Sequence, residues 1–158
     1  MTVLSHGLSW IDLEFLGRQH AIASGHGVGK SALLEQFANE AAIRLYDRAL
    51  ACIGSSEHGD LAARIHIWHD LGSVYELIGD FEAALGAFER MLRLSWVAAS
   101  KTKAAVAFNK MGRVWRRKGD LKLALEYLER GLELFRAAND QRGIAGSLDD
   151  IGKSLQIL

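Results

Sequence analysis

Ile65, Trp68, Leu71, Val74, Tyr75 and Ile78 recur at steps of three and four. That spacing puts them on one face of an α-helix. Gly79 follows the stripe directly, and glycine is the residue best suited to the left-handed position that closes a helix. Asp80 then offers a carboxylate to the unpaired N–H groups of a new helix, with Glu82 and Ala83 in its first turn. A second apolar stripe follows at Ala84, Leu85, Phe88, Met91 and Leu92. The pattern predicts two helices joined by a tight Gly-Asp turn.

The same pattern returns 40 residues later. Leu71-Gly72-Ser73-Val74-Tyr75 and Gly79-Asp80 are matched by Met111-Gly112-Arg113-Val114-Trp115 and Gly119-Asp120. Ala84, Leu85, Phe88, Glu89 and Arg90 are matched by Ala124, Leu125, Leu128, Glu129 and Arg130. A further step of the same length reaches Ile151-Gly152. One offset kept across three copies marks a repeated helical hairpin. Gly72, Gly112 and Gly152 fall inside helices, where glycine costs roughly 1 kcal/mol against alanine. Close approach of the paired helix explains them, with Ala84 and Ala124 expected opposite.

In combination, Trp68, Leu71-Gly72, Tyr75, Gly79-Asp80, Ala84 and Phe88 resemble the tetratricopeptide repeat signature. Phe108, Met111-Gly112, Trp115, Gly119-Asp120, Ala124 and Leu128 form its second copy. The resemblance covers residues 61–158. It implies an all-α fold of antiparallel hairpins stacked as a short right-handed solenoid. The family's usual period is about 34 residues. Here the extra six residues fall around Leu94 to Lys103 and Arg136 to Arg142, and are expected to lengthen the helices by about a turn, as in the family's long-helix variant. The family's usual terminal proline is missing near Trp96 and Arg136.

Residues 61–99 and 100–139 are read as two repeats, and 140–158 as the first helix of a further, incomplete one. Residues 30–60 are read as a degenerate repeat. Its short first helix would run from Lys30 to Phe37, and its second from Glu40 to Leu50 behind an Asn39 cap. Residues 1–29 would hold a helix over Leu8 to Ala23 and a glycine-rich turn. At the other end, Ile151, Leu155 and Leu158 look ready for a missing partner helix. That predicts either a piece of a larger protein or a homo-oligomer formed through this end.

Composition agrees with an all-helical chain. There is no proline among 158 residues, and helix interiors exclude proline. Lys plus Arg equals Asp plus Glu at 19 each, whereas a nucleic-acid binder normally shows a basic surplus. Cys52 is the single cysteine, so no intrachain disulfide can form; it is expected as a small buried hydrophobe. Met1 to Trp10 lacks a secretory signal, and no stretch reaches the ~18 apolar residues of a membrane span. A cytoplasmic location is expected.

Few residues suggest chemistry. Ser24-Gly25-His26-Gly27-Val28-Gly29-Lys30-Ser31 resembles a phosphate-binding loop, which cradles phosphates on backbone N–H groups and reaches them with lysine. Leu16-Gly17-Arg18 resembles the lead-in of signalling ATPases that carry tetratricopeptide repeats. Against this, Ser24 stands where the loop needs its first glycine, and the strand before it is only Ala21-Ile22-Ala23. The repeats also begin too soon for a parallel sheet. Nucleotide binding through Gly29, Lys30 and Ser31 is therefore the alternative reading. His66 and His69, three apart beside Asp70, have metal-ligand spacing but no second ligand pair. Trp68 and Trp115 sit in the core pattern, Trp96 ends a helix, and Trp10 would cover the N-terminal edge. No catalytic set and no cofactor is expected.

The resemblance implies that the first helix of each hairpin lines a concave groove. In the middle repeat that face carries Asn109, Lys110, Arg113, Arg116 and Arg117. The preceding helix offers His66, His69, Asp70, Ser73 and Glu76, and the following one Asp149, Asp150, Lys153 and Gln156. Guanidinium forks bind carboxylates in bidentate fashion. The expected function is a non-catalytic module that binds a protein or peptide, acidic or with a C-terminal carboxylate. A solvated basic face, partly paired with Asp149 and Asp150, is the plainer expectation; a purely structural spacer is the third.

Overall fold

The computed structural model describes residues 30–54 and 60–157. Expectations for Leu8 to Ala23, the glycine-rich turn and Gly29 lie outside these residues, as does Leu158. The chain divides into two units, Met1–Gly59 and Asp60–Leu158.

In the first unit, α1 runs unbroken from Lys30 to Gly54. Asn39 lies inside it and is buried, so it does not cap a second helix. No glycine stands between Lys30 and Ala51 to stop the helix, and one asparagine costs only a few tenths of a kcal/mol. One long helix therefore replaces the expected short hairpin. Cys52 is exposed, against the expectation of burial. It falls beside Ile53, off the stripe traced by Asn39, Ala42, Tyr46 and Ala49.

The second unit contains α2 (Leu61–Ile78), α3 (Phe81–Val97), α4 (Lys101–Lys118), α5 (Leu121–Ala137) and α6 (Gln141–Leu155), with no strand among the described residues. Consecutive helices pack as antiparallel neighbours: α2 with α3, α3 with α4, α4 with α5, α5 with α6. Each start is fixed locally. The side chains of Asp60, Asp80, Ser100, Asp120 and Asp140 accept hydrogen bonds from backbone N–H groups of the first turn. Such caps contribute about 1 kcal/mol each.

A left-handed residue precedes the last four caps. Gly79 and Gly119 take φ of +83° and +88°, as the Gly-Asp signals predict. Ala99 and Asn139 take φ of +50° and +53° at the other two turns. The sequence did not mark Ala99-Ser100, because alanine is not a left-handed residue by preference.

The core is shared by α2 to α4: Ile65, Ala84, Leu85, Phe88, Met91, Ala107, Met111 and Val114 are all buried. Gly72 and Gly112 do mark close approach: Ala124 lies opposite Gly112 as expected, and the atoms nearest Gly72 belong to Phe88. A Cβ on Gly72 would lie 2.5 Å from Phe88 Cε1. A Cβ on Gly112 would lie 2.7 Å from Leu128 Cγ and 3.0 Å from the Ala124 carbonyl oxygen. Each glycine thus receives the bulky residue of its partner helix. Trp68, Tyr75, Phe108 and Trp115 pack around this core half-buried, while Trp96 is exposed.

The first helices also touch one another, α2 to α4 and α4 to α6, whereas α3 and α5 do not meet. α2, α4 and α6 therefore lie along one side of the unit. No described helix is long and apolar enough to cross a membrane.

Candidate functional site

On this side, α4 presents basic residues between α2 and α6. Asn109, Lys110, Arg113, Arg116 and Arg117, at steps of one, three and four, share this side of the helix. Each reaches a flanking first helix. Lys110 Nζ donates to Ser73 Oγ at 3.1 Å. Arg117 Nη1 donates to the Glu76 carbonyl oxygen at 2.6 Å and lies 3.7 Å from its carboxylate. Arg113 Nη2 lies 3.8 Å from the same carboxylate. On the other side, Arg116 Nη1 donates to Asp150, at 3.1 Å to its carbonyl and 3.2 Å to Oδ1. Asn109 Nδ2 donates to Ser147 Oγ at 2.7 Å.

Burial separates these residues into two groups. Arg116 and Asp150 are 17% and 16% exposed in their side chains, so their pair is a structural tie between α4 and α6. Asn109 is also a tie: its Oδ1 is buried against Gly131 and accepts no hydrogen bond. By contrast, the side chains of Arg113 and Arg117 are 41% and 43% exposed, while the Glu76 side chain between them is 8% exposed. One buried carboxylate thus holds two guanidinium groups in place and neutralises only one of their two charges. Lys110 is drawn in beside them. Burial pushes its ammonium below the usual lysine pKa and Arg113 pushes the same way; Glu76, Asp70 and Asp150 oppose the shift.

The remaining residues of the expected groove are placed as follows. His69 Nδ1 is 2.8 Å from Asp70 Oδ1, and Ser73 Oγ donates to the His69 carbonyl. Asp149 pairs with Lys153 on its own helix, not with α4. His66 is exposed, and no cluster of three metal-ligating side chains occurs among the described residues. Lys30 opens α1 and Ser31 follows it; their side chains lie outside the described residues.

The role of Glu76 as the shared ion-pair partner was not legible in its own sequence neighbourhood. A signal exists nonetheless. The cross-helix bonds join residues 34 to 41 positions apart, close to one repeat. Polar residues of complementary kind about one repeat apart, in either order, mark such ties.

A second polar feature was not foreseen. Arg64 and Trp68 of α2, with Arg90, Arg93 and Leu94 of α3, line an open cleft of about 330 Å³. The Arg90 guanidinium lies 4.5 Å from the centroid of the Trp68 ring. Its counterpart Arg130 instead pairs with Glu126 one turn back, where Arg90 has Gly86.

Residues 67–95 match the family model described as tetratricopeptide repeat. No curated protein matches the chain in sequence. Among solved structures, BtubC (BKLC) from P. vanneervenii superposes with a TM-score of 0.71 at 17% identity, over 91% of this chain and 54% of that one. This chain thus spans about half the length of BtubC. The N-terminal domain of stress-induced protein-1 (STI-1) from C. elegans superposes with a TM-score of 0.52 at 18% identity, over 80% of this chain and 98% of that domain. The chain therefore carries a tetratricopeptide repeat at residues 67–95, and its helices stack as hairpins in the tetratricopeptide-type fold.

Proposed function

We propose that this chain is a non-catalytic protein-interaction module that holds an acidic peptide segment, or a peptide's C-terminal carboxylate, on the face of α4 that lies between α2 and α6. The observation that carries the reading is the shared carboxylate. Glu76 orients Arg113 and Arg117 but leaves one positive charge over, with both guanidinium groups more than a third exposed. Orientation matters because a preset guanidinium loses less side-chain freedom when it binds. A tetratricopeptide-type array is also a common carrier of such grooves. Arg116 and Asn109 support this face from beneath and are not expected to touch a ligand. His69, Ser73, Asp149 and Lys153 flank it.

Titration with acidic and neutral peptides of equal length tests the reading. Arg113→Ala is the informative variant, since Glu76 keeps Arg117 as its partner. Binding should favour the acidic peptide, weaken several-fold in the variant, and fall with added salt. Equal affinity for both peptides, or an unchanged affinity in the variant, would refute it.

A further inference from the structure

Arg64 of α2 and Arg90 and Arg93 of α3 line one open cleft with Trp68 and Leu94, and no acidic residue shares the lining. Arg90 and Arg93 are exposed, and Arg64 is half-buried. Among the described residues, none of the three guanidinium groups forms an ion pair or a hydrogen bond. Asp60, one turn before Arg64, turns its carboxylate to the α2 cap instead. Packing of the hairpin does not call for this charge. One repeat later, Ala104 stands for Arg64, Phe108 for Trp68 and Glu133 for Arg93, and α4 and α5 pack together all the same. Arg130, the counterpart of Arg90, is held by Glu126, whereas Arg90 has Gly86 at that place. The second hairpin thus carries one cation and two carboxylates where the first carries three cations.

We infer that this cleft binds the phosphate of a phosphorylated serine or threonine in a partner protein. A single carboxylate would neutralise one of the three charges. A phosphate monoester carries about −1.5 to −2 at neutral pH and offers three acceptor oxygens, which guanidinium forks meet in bidentate fashion. At about 330 Å³ the cleft is at the small end of ligand sites, which run to ~1,000 Å³. Trp68 and Leu94 give it an apolar wall for the residue beside the phosphate. The Arg90 guanidinium already lies 4.5 Å from the Trp68 ring centroid, and the ring packs against the core, so it offers no free face for a nucleotide base to stack on. The chain has no basic surplus for nucleic acid or an anionic membrane, with 19 residues of each sign. Arg64 lies twelve residues before Glu76 on α2, about 18 Å along the helix axis, so the cleft is separate from the Arg113 and Arg117 face.

A labelled alanine-rich peptide with one central phosphoserine is a direct probe. Titrated into the whole chain, it should bind saturably by fluorescence anisotropy and lose affinity as salt rises. The same peptide with serine or glutamate at that place should bind at least tenfold more weakly. Gly86→Glu is the sharpest variant, because it gives Arg90 the partner that Glu126 gives Arg130. A Cβ at Gly86 meets nothing within 4 Å, so this variant should fold and melt at no lower temperature. Gly86→Glu should weaken binding several-fold, and Arg93→Glu at least tenfold. Arg113→Ala should leave binding unchanged, which separates this site from the α4 face. Absence of saturable binding, equal affinity for the glutamate peptide, or binding that either glutamate variant leaves unchanged overturns the inference. Loss of binding in Arg113→Ala also overturns it, by moving the phosphate to the α4 face. Inorganic phosphate that displaces the peptide at concentrations no higher than the peptide's own Kd overturns the peptide as the ligand, in favour of free phosphate.

Discussion

Alanine substitution at the three equivalent glycines tests the hairpin packing with a built-in control. Alanine gains about 1 kcal/mol of helix propensity at each site. At Gly152 nothing lies within 4 Å of the new Cβ, so the gain stands and the variant should be more stable by up to that amount. At Gly112 the Cβ would sit 2.7 Å from Leu128 Cγ and 3.0 Å from the Ala124 carbonyl oxygen, well inside the ~3.5–4.0 Å of an ordinary contact. Neither neighbour is the loose end of a flexible side chain, and Leu128 is fully buried. Overpacking of this kind costs about 1–3 kcal/mol. The net effect should be a loss of about 1 kcal/mol. Gly72, whose Cβ would meet three atoms of the fully buried Phe88 ring, should lose about 1–2 kcal/mol by the same reckoning. For a unit of this size 1 kcal/mol moves Tm by about 4–8 °C. Thermal unfolding followed by circular dichroism reads the shifts. If Gly112→Ala and Gly152→Ala move Tm in the same direction, the close-approach explanation is wrong.

Further outcomes follow from the α4 face and the turns. Glu76→Gln removes the carboxylate shared by Arg113 and Arg117 and should cost about 1–2 kcal/mol, discounted from a fully buried pair because both arginines are part-exposed; urea unfolding measures it, and an unchanged midpoint would contradict the assigned pairing. The depressed pKa of Lys110 means that the unfolded chain holds more protons between the folded value and the ordinary lysine value of 10.5. Stability relative to Lys110→Met should therefore rise as pH climbs through that window, the cost being fully present below it; a difference flat with pH would count against burial of the ammonium. Asn109→Ala breaks the tie to Ser147 and should cost about 1 kcal/mol, with no loss of peptide binding if Asn109 is purely structural. Ala99→Gly relieves a left-handed alanine and should stabilise by a few tenths to about 1 kcal/mol in the same unfolding assay.

The sequence by itself determined the helices from Leu61 onward, because their signals are short-range. An apolar stripe needs only a spacing of three and four, and a cap needs only an aspartate three residues before an N–H. Asp80 and Asp120 cap as their Gly-Asp signals required. The same reasoning failed at Asn39, where a good capping residue lies inside α1 because nothing before it stops the helix. Tertiary packing decided everything that depends on the axial offset between helices. It put Phe88 nearest to Gly72, joined Arg113 and Arg117 to one carboxylate on α2, and used up Arg116 in a part-buried pair with Asp150. Two residues three apart are neighbours on any helix. Two residues a repeat apart become neighbours only when the side chains between the helices set the distance and the register.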